Sequence, residues 1–445
     1  MEGGYIKQIT WSAGAFWIST YLLLIIVPLF ILLAGEQPAG GGFWWDFAMA
    51  LGFAGLTMVC VQFFLTARFH GATAPFGIDI IYYFHRYLAL IAFGLLLSHP
   101  AILIFRETGM ARYLNPVKAP WHMTAGTLSL LFFAGIISSS LWRKQLKLEY
   151  DWWRLAHGSL ATGAVILALI HIVTVGKYTG APWKKLLWSL FILSWVFLLI
   201  YIRLIKPWFI LKKPYRVVRV NAERGNTWVL TVEADGHKGM SFIPGQFAWL
   251  TLRHSPFMLK EHPFSISSSA VNPALIEFTI REFGDFTRTI KDIHPGEIAY
   301  IDGPYGAFST SRYLSGGFVF ISGGVGIAPI MGMLRTMADR HDTRPLYLFD
   351  CNRTWESVVF RDEIQALKES LDLKVVHVLE HPPGSWDGET GFLTRDILEK
   401  HLPDDRKMFH YFICGPEPMT NILEKTIYLM GVPLRRSHTE IFNLV

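Results

Sequence analysis

Four histidines stand in two apolar segments at a repeated spacing. His85 and His99 lie in one segment, His157 and His171 in the other, and each pair is separated by 14 residues. Fourteen helical residues come within ~40° of four full turns and rise ~21 Å. Each pair therefore lies on one helix face at two depths, and two parallel helices bring His85 level with His157 and His99 level with His171. Neutral imidazole is a good axial ligand for iron, and two of them fill both axial positions of a haem without a cysteine attachment motif. A lone histidine in an apolar helix more often bonds a neighbouring helix. Four in equal spacing, where ionisable groups are costly, point to metal ligation at His85, His99, His157 and His171, in two b-type haem sites. His122 and His70 read as interfacial, Arg86 and Arg68 as partners of propionates or of lipid headgroups, and Phe93 as packing.

The second half of the chain carries the residue types that hold nucleotides. His262, Pro263, Phe264 and Ser265 lead into Ser267 and Ser268, closely spaced hydroxyls suited to a flavin ring edge and its ribityl or phosphate oxygens. Arg281, Gly284 and Thr287 add a cation, a point of close backbone approach and a hydroxyl, which suits a pyrophosphate and so FAD over FMN. Gly323, Gly324, Gly326 and Pro329 follow an apolar strand and open a helix, the pattern by which backbone amides approach a diphosphate. A second strand end brings Cys414, Gly415 and Pro416 to the same sheet edge, where ligands bind in α/β sheets. Cys414 reads as lining the nicotinamide site, against a plain apolar role. Arg353 suits a 2′-phosphate and so NADPH, whereas Asp350 suits the ribose hydroxyls of NADH. Phe442 could stack on the flavin or anchor the C-terminus. The residues expected at the chemistry are Cys414, Ser265 and Phe442.

Positioning these groups requires a membrane. The chain has 445 residues, 51% hydrophobic and 17% charged, with a mean hydropathy of +0.32, too apolar for an ordinary soluble protein. Six stretches reach the ~20 residues of a spanning helix, over 11–33, 43–66, 81–105, 121–141, 155–175 and 183–205. The first lacks the basic leader and cleavage site of a signal peptide. Lys and Arg concentrate on the flanks that share a side with the N-terminus, which places the N-terminus and the C-terminal half in the cytoplasm of a plasma membrane. The tryptophans at the span ends, Trp44, Trp45, Trp121, Trp152, Trp153 and Trp183, read as an interfacial belt. Three cysteines without a close pair exclude a disulfide framework and a cysteine-ligated iron-sulfur cluster. The excess charge lies around the spans, which argues against nucleic-acid binding, and no internal repeat stands out.

Beyond residue 212, short alternating segments with turns predict an antiparallel β-barrel, and beyond 317 strand, glycine turn, helix and strand predict a parallel α/β sheet. The fold class is thus a multidomain membrane protein: a six-helix transmembrane bundle over 1–210, an FAD-binding β-barrel over 211–313 and an NAD(P)H-binding α/β domain over 314–445.

Taken in order, these residues resemble the NADPH oxidase and ferric reductase family. The resemblance rests on the paired membrane histidines, the His262–Ser265 flavin motif, the Gly323–Pro329 turn and Cys414–Pro416. It implies a transmembrane oxidoreductase that takes electrons from NAD(P)H through FAD and two haems to an outer acceptor. Dioxygen giving superoxide, a ferric chelate and a periplasmic partner protein all remain open as acceptors. Oxygen is placed first among them; filled axial positions leave only the haem edge for electron transfer, which suits dioxygen and a ferric chelate alike. No calcium-binding extension is present, so operation independent of calcium is expected.

Overall fold

The computed structural model describes residues 11–35, 39–67, 78–258 and 260–441. Arg68, His70 and Phe442 lie outside the described residues. By its internal contacts the chain divides at Lys206/Pro207 into two compact units, each described by itself.

Among the described residues the first unit holds six helices long and apolar enough to cross a membrane: α1 (Trp11–Leu33), α2 (Phe43–Thr66), α3 (Ile78–Arg106), α4 (Trp121–Leu141), α5 (Tyr150–Val175) and α6 (Pro182–Ile200). Their apolar residues point all round, as expected where lipid and core are equally oily. Large side chains such as Leu23, Phe30, Phe84, Leu131 and Phe197 are exposed, which in water would be untenable. α2 packs on α3 and α4 on α5, through points where a side chain is missing. A Cβ at Gly55 would meet Leu96 Cγ at 2.8 Å and the Ala92 carbonyl at 3.0 Å, the close backbone approach that small residues permit between membrane helices. Ser129 Oγ donates to the Ala164 carbonyl at 2.8 Å across α4 and α5.

The second unit begins with α7 (Lys206–Leu211) and a six-stranded antiparallel sheet: β1 (Tyr215–Glu223), β2 (Thr227–Ala234), β3 (Phe247–Leu252), β4 (His262–Ser265), β5 (Leu275–Arg281) and β6 (Ile298–Tyr305), with the short α8 (Asp285–Arg288) after β5. Strand order is β4-β3-β6-β1-β2-β5. The two edge strands meet through a bridge between Ile266 and Phe278, so the sheet curls on itself around a core that includes Leu230, Leu250, Ile276 and Phe278. The β1–β2 turn uses Gly225 and Asn226, both at positive φ, the conformation that Gly and Asn tolerate best.

A parallel sheet follows: β7 (Phe318–Gly323), α9 (Ile327–Asp339), β8 (Leu346–Asn352), α10 (Arg361–Leu367), β9 (Leu373–Leu379), β10 (Glu389–Thr390), α11 (Arg395–His401), β11 (His410–Gly415), α12 (Glu417–Leu429) and β12 (Ser437–Ile441). Its order is β10-β9-β8-β7-β11-β12. The chain steps outward from β7 through β8 and β9, then returns to place β11 on the other side of β7. That reversal between β7 and β11 is the crevice at which open α/β sheets bind ligands. An ionic network joins barrel and parallel sheet within this unit. Arg335 of α9 bonds Glu277 of β5 at 2.8 Å, Glu363 at 2.6 Å and the Ser267 carbonyl at 2.8 Å, while Arg219 bonds Glu277 from the far side at 2.8 Å.

Candidate functional site

α3 carries His85 and His99, α5 carries His157 and His171, and the two levels form. The rings of His85 and His157 stand 6.3 Å apart, centre to centre. With metal–nitrogen bonds of ~2 Å, two imidazoles on opposite sides of one metal stand roughly 6 Å apart, so the pair has the right separation for one shared metal. His99 and His171 line one cavity of about 380 Å³.

Hydrogen bonding fixes the tautomers. His99 Nδ1 donates to the Ala48 carbonyl and His171 Nδ1 to the His122 carbonyl, each at 2.9 Å. A carbonyl only accepts, so Nδ1 carries the proton and Nε2 keeps its lone pair. His85 Nδ1 meets Gln62 Oε1 at 2.9 Å. Ser140 Oγ spends its proton on the Ile136 carbonyl at 2.6 Å and accepts from His157 Nδ1 at 3.4 Å. All four imidazoles thus present Nε2, held by the kind of second contact that orients metal-ligating histidines. Among the described residues no group of three or more His, Cys, Asp or Glu gathers to hold a bare ion. Paired histidines suit a metal whose other ligands come from a macrocycle, and the donor set fits a haem at each level.

Sequence reasoning missed the residues that set these rings: Gln62, Ser140, Gly52, Gly126 and the carbonyls of Ala48 and His122. The signal was a repeat. His85 precedes His157, and His99 precedes His171, by 72 residues; Ala48 precedes His122, and Gly52 precedes Gly126, by 74. The expectation that no internal repeat is present is corrected: the α2–α3 and α4–α5 hairpins repeat one arrangement, held by backbone contacts that no residue-type motif displays. Trp153 and Trp45 do more than mark an interface. Trp153 packs 5.2 Å from His157, and Trp45 lines the His99/His171 cavity. Phe93 packs against the membrane core, and Arg86 is exposed.

In the barrel, β4 holds His262 to Ser265 against β3. His262 lies face to face with Phe286 at 3.8 Å, and Phe264 stacks on the same ring at 6.0 Å. Ser265 is 4% exposed and its Oγ has no partner among the described residues, an uncommon state for a buried hydroxyl and one that a bound flavin would relieve. Arg281, at the end of β5, is exposed and forms no ion pair among the described residues. Gly284 faces open space. These three fit a flavin dinucleotide. Other expected contacts are engaged within the protein. Ser267 Oγ donates to the Glu277 carbonyl and accepts from Thr279, and Ser268 Oγ accepts from the Glu277 amide, so both close the barrel seam. Thr287 Oγ1 accepts from the amides of Phe283 and Gly284 and braces the turn before α8.

At the crevice the glycines serve packing as much as ligand approach. A Cβ on Gly326 would stand 2.1 Å from the Cys414 carbonyl, and one on Gly323 would lie 2.8 Å from Met419 sulfur; Gly415 is 3.2 Å from the Gly323 backbone by the same measure. Gly324 has φ +55, and its open side faces the Arg281 guanidinium, 3.4 Å from where a Cβ would be. The flavin-side cation and the glycine turn therefore share one edge. Pro329 sits in the first turn of α9, where its missing N–H costs nothing, and Pro416 caps α12. Cys414 is fully buried among apolar side chains. Burial, with Glu440 adding to it, pushes its thiol well above the usual range, so the group is neutral at physiological pH and no thiolate nucleophile. Asp350 and Arg353 stand in different surroundings. Asp350 is 1% exposed and bonded to Ser322 at 2.6 Å and Asn352 at 2.9 Å, with His377 at 3.4 Å, whereas Arg353 is exposed at the end of β8.

Comparison with known proteins follows the same division. The family model for a ferric reductase like transmembrane component matches residues 51–168, that for an FAD-binding domain 212–309, and that for an oxidoreductase NAD-binding domain 320–425. Among curated relatives, NADH-cytochrome b5 reductase 1 of Lodderomyces elongisporus is 33% identical over 153 residues, 34% of this chain and 51% of that protein. The reductase component of propane 2-monooxygenase from Rhodococcus jostii is 30% identical over 204 residues, 44% of this chain and 54% of that one. The matches span about half the length of these relatives. Among solved structures, the flavohemoglobin of Malassezia yamatoensis aligns over 89% of this chain and 96% of that chain with a TM-score of 0.48 at 16% identity. A ferric reductase-like membrane component, an FAD-binding domain and a NAD-binding domain in this order give the chain the architecture of the NADPH oxidase and ferric reductase family.

Proposed function

We propose that the protein is a transmembrane oxidoreductase carrying electrons from cytoplasmic NAD(P)H, by way of FAD and two b-type haems, to dioxygen on the outer face of a plasma membrane. The observation that carries this reading is the set of four imidazoles, each fixed by its Nδ1–H and each presenting Nε2, in two pairs. Bound FAD supplies the conversion of a two-electron hydride into single electrons, and bound haem carries electrons one at a time.

The chain's own residues have separate tasks. His85 with His157, and His99 with His171, would hold the two haems. Ser265 Oγ offers a hydrogen bond at the flavin ring edge, Arg281 and Gly284 hold the pyrophosphate, and His262 and Phe264 brace that site through Phe286. Gly324 admits the nicotinamide diphosphate beside Arg281. Cys414 backs the crevice from within the core as a small neutral group, with Phe442 as the aromatic that would cover the flavin. Arg353, exposed while Asp350 is bonded inward, favours the 2′-phosphate and hence NADPH. Moving one electron against a membrane potential costs ~2.3 kcal/mol per 100 mV, which oxidation of the nicotinamide must cover.

Dioxygen is put first on the resemblance to the NADPH oxidases, and the cavity lined by His99, His171, Met49, Leu96, Leu103 and Lys177 is the space the outer haem would take. The test is anaerobic reduction of the detergent-purified protein with NADPH, followed by rapid mixing with oxygen or a ferric chelate while haem absorbance is followed. Faster reoxidation by oxygen is expected. Faster reoxidation by chelate would make the protein a metal-chelate reductase, and reoxidation by neither would leave a periplasmic partner protein as acceptor. A protein without haem would overturn the reading.

A further inference from the structure

Each outer imidazole lies flat against a glycine of the neighbouring helix. A Cβ on Gly52 would meet Cγ and Nδ1 of His99 at 3.1 and 3.3 Å, and one on Gly126 would meet Nδ1 and Cγ of His171 at 2.9 and 3.0 Å. The carbonyls that these rings bond, Ala48 and His122, stand four residues before Gly52 and Gly126. On a helix the Cα–Cβ bond tilts toward the N-terminus, so the side chain at one position overhangs the carbonyl of the preceding turn. That carbonyl already accepts the backbone N–H of the helix and has one lone pair left. A side chain at residue 52 or 126 would cover this lone pair; glycine leaves it open to the imidazole.

We propose that Gly52 and Gly126 are positioning residues for the outer pair, each exposing a backbone carbonyl that fixes the tautomer and the rotation of His99 or His171. The inference rests on the haem reading given above. It is specific to the outer level, because His85 and His157 are oriented by the side chains of Gln62 and Ser140. The outer rings are thereby tied to the helical backbone, which cannot rotate away as an amide or hydroxyl can.

The experiment compares full-length Gly52→Ala and Gly126→Ala with the parent protein in detergent. It reads haem per chain and the low-temperature electron paramagnetic resonance of the oxidised haems, with the outer signal identified by its absence from His99→Leu. Each variant should shift or lose the outer signal and keep the inner one, haem falling toward one per chain where the signal is lost. Gly126→Ala should be the more severe, since its contact is shorter and falls on the bonding nitrogen; Gly52→Ala keeps the test available should Gly126→Ala not accumulate. Gly55→Ala is the control. It crowds the same α2–α3 interface at Leu96 and the Ala92 carbonyl without touching a histidine, and should lower the melting temperature while leaving both signals in place. Unchanged haem content and spectra in both glycine variants, or the same spectral change in Gly55→Ala, would overturn the proposal. A parent protein without haem would sink the reading beneath it.

Discussion

Replacing Ser265 with alanine should have opposite effects on stability and on chemistry. The hydroxyl is buried and has no partner among the described residues, and leaving a buried polar group unpaired costs ~1–3 kcal/mol. In the flavin-free protein, Ser265→Ala removes that cost and leaves a cavity of a single atom, so stability should hold or rise by up to about 1 kcal/mol. With flavin bound the sign reverses, because the hydroxyl then supplies a donor where charge develops. Loss of one positioned donor typically slows such a step by roughly 10²-fold. Ser267→Ala is the internal contrast. Its hydroxyl bonds the Glu277 carbonyl at 3.2 Å and Thr279 at 2.8 Å, so its removal should destabilise by ~1–3 kcal/mol and leave flavin reduction nearly unchanged. The assays are thermal unfolding of the flavin-free chain and anaerobic stopped-flow reduction of the reconstituted protein by NADPH. A destabilised Ser265→Ala that is reduced at the parent rate would refute the reasoning and make Ser265 a structural residue.

Other expectations follow from the same geometry. Arg335→Ala leaves the buried Glu277 carboxylate to Arg219 and the Thr231 hydroxyl and should destabilise the protein by up to ~3 kcal/mol, the low end for breaking a buried pair from one side because these partners remain; a shift in unfolding free energy below about 1 kcal/mol would place the network among surface ion pairs. His410 Nδ1 and His438 Nε2 lie 2.9 Å apart with Tyr313 stacked on both rings. Burial first, then Arg436 and Arg435, pushes His410 down to about 4, and burial with His410 pushes His438 down to about 3. The unfolded chain takes up these protons near pH 6.5, so stability is full above that value and falls as pH drops toward 4, by on the order of 3 kcal/mol at His410. His438→Phe should flatten this dependence, and an unchanged slope of melting temperature against pH would exclude the pair as its source. His157→Leu should remove the inner haem signal and leave the outer one, and loss of neither would exclude His157 as a ligand.

The six spans were legible because a run of about twenty apolar residues has few uses other than crossing a bilayer. The parallel sheet was legible from strand, glycine turn and helix in succession. What the sequence did not display are contacts whose partner is backbone. Ala48 and His122 act through their carbonyls, and nothing in the side chain of Ala48 announces an acceptor. That Asp350 bonds inward was not legible from its position, because only the register of β7 with β8 brings Ser322 beside it. Ser267 and Ser268 read as flavin contacts for the same reason Ser265 did. They differ from it only in lying where β5 comes round to close the barrel, a pairing between residues far apart in sequence.

The repeat of the two hairpins bears on how the membrane unit holds together. Each hairpin contributes one histidine to each level, α2–α3 supplying His85 and His99 and α4–α5 supplying His157 and His171. Within each hairpin the outer histidine bonds its own partner helix, so that imidazole is oriented before the hairpins meet. A ligand that needs both imidazoles of a level can bind only to the packed pair of hairpins. By linkage it stabilises that packing in proportion to how tightly it binds. The inner level lacks part of this support: Gln62 Nε2 is buried without a partner among the described residues, and the His157 bond is long at 3.4 Å. The inner pair is therefore the more adjustable of the two and gains more order from an occupant. On thermal titration of the haem-loaded protein the inner signal should be lost first, and loss of the outer signal first would contradict this ordering of the two levels.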